Sequence, residues 1–136
     1  MLYTDLKKIA EERLDDVKVL YHKGRYDGAM YLSGYVLEVA LKARICKVLN
    51  LSEYPDQGKF KPTYATHNFD VLLKLSGLEK NILLSKSNNP YLFIQWSVVT
   101  GWSPEMRYQI MNKTKQEMGQ ILVALIDVFQ WLKQQW

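Results

Sequence analysis

The sequence predicts an all-α protein, an up-and-down helical bundle of four to five helices forming one domain over residues 1–136. Three observations lead there. Apolar residues recur every three to four positions through long stretches near both ends of the chain. Glycine, proline and capping residues fall where those stretches stop. Only one short stretch is rich in β-branched and aromatic residues, and it has no second strand to pair with. The length suffices to bury a core without metal or disulfide staples.

Residues 4–22 form the first amphipathic helix, with Leu6, Ile9, Ala10, Leu14, Val17, Leu20 and Tyr21 on one face and Thr4 as its expected N-cap. Gly24 stops it. The short link Lys23–Arg25 makes the next helix an antiparallel neighbour. That helix, Tyr26–Leu49, carries Ala29, Leu32, Val36, Val39, Ala43 and Cys46 on one stripe and Met30, Leu37, Leu41, Ile45 and Val48 beside it. A helix apolar over so much of its circumference must be covered by several neighbours and belongs at the centre. Tyr31 and Tyr35 extend the stripe, and the lone thiol of Cys46 lies on it, which predicts a buried and inert cysteine.

After Leu49 the periodicity fails. Residues 50–66, with two prolines and a glycine, predict a surface loop of about fifteen residues. There Lys59 and Lys61 interleave with Phe60 and Tyr64, either to contact a nucleotide or single strand, or as an ordinary loop whose aromatics pack down. A third helix is capped by Thr66 or Asn68, packs through Phe69, Val71, Leu72, Leu73 and Leu75, and ends at Gly77. LEKNILL makes a short helical piece, and Pro90 starts another over YLFIQWSVVT. Ser103, Pro104 and Glu105 signal the start of a closing helix that runs almost to Trp136, about 45 Å if unbroken, with Gly119 its weak point. Its apolar tail, Phe129, Leu132 and Trp136, is available as a subunit interface.

The net charge of +4 is spread along the chain without a like-charge block, so it permits a phosphate-bearing partner without demanding one. No glycine-rich phosphate loop, Cys-x-x-Cys or His-Glu-x-x-His occurs, and His22 and His67 have no carboxylate at metal-ligand spacing. Neither a cofactor nor a metal is expected. The charged first turns do not resemble a secretory signal, and Glu38, Lys42 and Arg44 interrupt the best apolar run, so a cytoplasmic protein without a membrane partner is expected.

The informative residues are polar ones in apolar settings: Glu38, Lys42 and Arg44 on the central helix, His67 at a helix start, and Trp102, Arg107 and Tyr108 around the start of the last helix. Glu38 and Lys42 stand one turn apart with the acid first, the favourable order for a helix pair. They must be paired, or line a groove or an interface, because an unpaired buried charge is costly. Read blandly, they are a plain helix pair, His67 is a capping residue, and Arg107 is a surface charge or a bridge to Glu38.

These residues also carry a family resemblance. RYDGAMYLSGYVLEVALKARIC, through Glu38, Lys42 and Ala43, resembles the Glu-x-x-x-Lys-Ala helix of HEPN domains, the "higher eukaryotes and prokaryotes nucleotide-binding" family. THNFDVLLKL is similar to that family's histidine-led helix, with His67 in the histidine position, and GWSPEMRY to the segment opening the last helix in some members. The resemblance spans nearly the whole chain and implies a HEPN-like bundle, usually homodimeric. Members include ribonuclease toxins and non-catalytic partners of small nucleotidyltransferases. The ribonucleases place an arginine four to six residues before a histidine, and neither His22 nor His67 has one there. The resemblance therefore implies a non-catalytic module without the ribonuclease pair, binding a nucleotide, RNA or a nucleotidyltransferase partner as a homodimer. Lys42, Arg107 and Arg44 would meet phosphate, Glu38 would orient Lys42, His67 would line the groove, and Tyr108 or Trp102 would stack on a base. The alternatives are a divergent metal-independent RNase of a toxin–antitoxin or defence system, using His67 with Arg107, and a structural oligomerisation module.

Overall fold

The computed structural model describes residues 1–136 and contains seven α-helices, two short 3-10 turns and no sheet. The extended pieces meet only at Leu2 and Glu53, an isolated antiparallel bridge. Helix α1 (Tyr3–His22) and helix α2 (Tyr26–Val48) form the expected hairpin, joined through Gly24 at φ +73°, a left-handed conformation that favours glycine. No side chain caps α1, so Thr4 lies inside the helix and is not its N-cap.

More than half of the 23 residues of α2 are buried, and α1, α7 (Lys115–Lys133) and α4 (Phe69–Leu75) all pack on it. The enclosure expected from its apolar circumference is present. Cys46 is fully buried, and burial pushes its thiol upward. The middle of the chain divides into α3 (Lys61–Tyr64), α4, α5 (Glu79–Asn88) and α6 (Pro90–Val99). The side chain of Asn68 caps α4 through the Val71 N–H at 3.1 Å, and Asn89 caps α6 through the Leu92 N–H at 3.3 Å. The β-rich stretch after Pro90 is helical, with Leu92, Trp96 and Val99 on its buried side. Within the loop of residues 50–66, Tyr54 is 2 % exposed and anchors it to the core.

The closing helix differs from expectation. Ser103 and Pro104 do open a helical turn, but it is a five-residue 3-10 turn, Pro104–Tyr108, followed by an extended strap to Thr114. The carboxylate of Asp27 accepts the N–H groups of Met111 (2.9 Å), Asn112 (3.1 Å) and Lys113 (2.8 Å). A continuous helix would have sent those three donors to carbonyls four residues back. Asn112, at φ +53°, completes the break. Helix α7 then restarts at Thr114, whose hydroxyl accepts the Glu117 N–H, and its 19 residues span about 28 Å. Gly119 lies inside unbroken α7, where a Cβ would sit 3.0 Å from the Tyr21 hydroxyl. Phe129 and Leu132 belong to the chain's own core, with Trp136 packed against Phe129, so the apolar tail is not a free subunit interface. No helix is long and apolar enough to cross a membrane.

Candidate functional site

The i,i+4 spacing of Glu38 and Lys42 puts them on one side of α2, and the fold closes over both. They are 4 % and 6 % exposed, and Nζ of Lys42 donates to Oε1 of Glu38 at 2.7 Å. The second oxygen, Oε2, lies 2.7 Å from Nδ1 of His67, just before the α4 cap. The ammonium also sits 5.2 Å from the ring centroid of Tyr54, a favourable cation–π position. Every buried polar side-chain atom of the chain has a hydrogen-bond partner.

An aromatic wall holds the imidazole. The Tyr35 ring meets His67 edge-on at 6.2 Å and Trp102 at 5.0 Å, and the Tyr31 and Tyr35 hydroxyls are 3.2 Å apart. That hydroxyl contact, together with burial and the nearby Glu38, pushes Tyr35 up to about 12. Trp102 donates its indole N–H to the carbonyl of Tyr31 at 2.8 Å and packs where Gly34 has no side chain. A Cβ on Gly34 would stand 1.9 Å from the indole.

Outside this wall, a cleft of about 480 Å³ lies between the start of α4, His67–Asp70, and the segment Thr100–Pro104. The His67 side chain lines it and is 55 % exposed, with Nδ1 held by Glu38. The 3-10 turn separates this cleft from a smaller hollow of about 220 Å³ lined by Asp27, Tyr31, Met106 and Arg107. The Ser103 hydroxyl donates to Glu105 and holds its carboxyl below the usual range, with Arg107 and His67 acting in the same direction. Other hollows, around Gly119 and at the N-terminal end of α2, contain no buried charge.

Four of the predicted residues, Glu38, Lys42, His67 and Trp102, converge here. Lys42 is enclosed, both oxygens of Glu38 are occupied so that no Arg107 bridge forms, and Trp102 is a buried wall. Arg107 and Tyr108 are exposed on the 3-10 turn, Arg107 lining the smaller hollow and not the His67 cleft, with its guanidinium 4.7 Å from the Tyr108 ring centroid. Arg44 lies apart from this group. It donates to the carbonyls of Ser76 (3.2 Å) and Gln135 (2.7 Å) and ties the end of α4 to the C-terminal residues. Sequence reasoning missed Gly34, whose position inside a helical run is the sign of a close approach. It also missed Tyr54, hidden in a loop, and Asp27, which looked like an ordinary first-turn acid.

The HEPN domain family model matches residues 3–135. No curated protein and no solved structure matches the chain.

Proposed function

The chain belongs to the HEPN domain family over nearly its whole length, and from that premise we propose that it binds a nucleotide or RNA in the cleft of His67. One observation carries this reading. A buried, charge-balanced carboxylate orients a half-exposed imidazole that lines an open cleft, and the adjoining 3-10 turn carries the exposed guanidinium of Arg107 beside a second hollow. A guanidinium, and an imidazole carrying protons on both nitrogens, are donors a phosphate group selects. Lys42 then serves as the counter-charge of Glu38 instead of a phosphate ligand, and Tyr108, not Trp102, is the exposed stacking surface. Calorimetry with ATP, GTP and short RNA tests the reading: binding is expected, and His67→Ala or Arg107→Ala weakens it at least tenfold. Equal binding by both variants would remove the site.

The carboxylate–imidazole contact favours a second reading, cleavage of RNA. A histidine with Nδ1 on a carboxylate presents Nε2 as a general base, and Arg107 is the available group to stabilise phosphorane charge. Total RNA incubated in EDTA decides: cleavage abolished by His67→Ala supports it, and intact RNA leaves the binding module. The module acts as a homodimer on this proposal. Tyr91, Ile94 and Val98 form an exposed stripe on α6, a helix without a charged side chain, which offers a second copy an apolar face bordered by Asp127 at Tyr91.

A further inference from the structure

We propose that the ligand is a single-stranded oligonucleotide and that the turn Gly58–Tyr64 is its second contact surface, an inference that rests on the nucleotide reading of the His67 cleft. Phe60 is 49 % exposed, whereas its neighbours Tyr54 and Tyr64 are packed down. The Phe60 ring is held out on a rigid base. The Phe60 and Tyr64 rings meet edge-on at 6.4 Å, Tyr64 meets Tyr54 at 6.0 Å, and the Tyr54 hydroxyl donates to the Tyr64 carbonyl at 2.9 Å. A backed, exposed aromatic face is what an unpaired base stacks on, whatever the base.

The charges agree with the ring. Lys59 and Lys61 flank Phe60 in sequence, and the Lys59 ammonium lies 5.2 Å from the ring centroid. None of Lys59, Lys61 and Arg107 enters an ion pair. Arg107 over Tyr108, which is 79 % exposed, repeats the same pairing of cation and open ring on the other exposed segment beside the site. His67 follows Phe60 by seven residues, so the two lie within about 25 Å. Tyr54 links them physically, since its ring touches Tyr64 on one side and the Lys42 ammonium that holds Glu38 on the other. A mononucleotide in the cleft is confined to His67 and the polar residues beside it, Asn68, Asp70, Thr100 and Ser103. A strand of several nucleotides reaches the Phe60 platform as well.

The test is fluorescence anisotropy with labelled oligo-U of three and twelve nucleotides and a twelve-base-pair RNA duplex, beside calorimetry with UMP. The 12-mer is expected to bind at least tenfold tighter than the 3-mer or the duplex. Phe60→Ala, a surface change, weakens the 12-mer about tenfold or more and leaves UMP unchanged. Lys59→Gln with Lys61→Gln flattens the salt dependence of 12-mer binding by a slope of about 1.4. Equal affinities for 3-mer and 12-mer, or a 12-mer indifferent to Phe60→Ala, overturn the platform while His67-dependent UMP binding leaves the cleft standing. Phe60-dependent 12-mer binding that ignores His67→Ala overturns the cleft reading and the joined track with it. Oligo-dT run in parallel at similar affinity supports recognition through phosphates and base faces, and binding confined to the duplex overturns it.

Discussion

The Nδ1 atom of His67 lies 2.7 Å from Oε2 of Glu38, 29 residues away in sequence, while Oε1 of the same carboxylate holds Lys42. The geometry makes Glu38 the hinge of the site. It neutralises a buried ammonium and at the same time fixes the ring that faces the cleft.

Removing that carboxylate strands a buried charge. Glu38→Ala is expected to lower unfolding free energy by roughly 3–5 kcal/mol, read from urea denaturation. The double variant Glu38→Met with Lys42→Met recovers most of that stability, because neither charge remains, yet it stays defective in ligand binding. Equal losses in single and double variants would contradict the pairing.

Gly34 makes room for Trp102 at a cost to helix propensity of about 0.5–1 kcal/mol relative to alanine. Gly34→Ala should nonetheless destabilise, by about 1–3 kcal/mol or more, since the new methyl and the indole cannot share the space. Near-ultraviolet circular dichroism should change with it. A more stable Gly34→Ala protein would show that α2 and Trp102 do not meet.

Asp27 holds three N–H groups of the strap, led by that of Lys113, and these bonds lower its pKa. A lowered folded pKa gives stability that is complete above the unfolded value, 3.8, and lost as pH falls through the folded value. The stability gap between the native protein and Asp27→Asn should therefore close on acidification below pH 4. At neutral pH the amides of Met111, Asn112 and Lys113 should exchange faster in the variant, and unchanged exchange would sink the anchor.

Tyr35 behaves in the opposite sense. Its folded pKa is pushed up to about 12 from 10.0, first by the Tyr31 hydroxyl and then by burial. The associated stability is complete below pH 10 and drains away as pH rises toward 12. Tyrosinate absorbance should show Tyr35 among the late-titrating residues, with Tyr54 and Tyr91 also raised, and Tyr31→Phe should bring only the Tyr35 transition to lower pH.

Charge placed on the α6 stripe tests self-association. Ile94 is 58 % exposed, so Ile94→Glu should fold normally and, by light scattering, halve the mass of a homodimer. A native protein that is already monomeric at high concentration would dispose of the proposed dimer face.

The sequence made the bundle, the central place of α2 and the Glu38–Lys42 pair legible, because each follows from spacing along one helix. The convergence of His67 and Trp102 on that pair was reachable only through the family's order of segments. Tertiary capture was not legible. Ser103, Pro104 and Glu105 are sound helix-start signals, and Ser103 does cap a turn, but nothing local announces that Asp27, 84 residues before Met111, takes the donors the next turn needs. Arg44 misled for the same reason: its partners, the carbonyls of Ser76 and Gln135, are backbone atoms that leave no trace in composition.

The notch at Gly34 and the indole that fills it come from opposite halves of the polypeptide, since Trp102 bonds to a carbonyl 71 residues earlier. During synthesis, α1 and α2 can emerge and pair long before that plug exists, so the groove beside His67 has no far wall until most of the chain is made. Ligand capture is therefore a property acquired late in folding. In stopped-flow refolding, recovery of binding should lag behind recovery of helical signal.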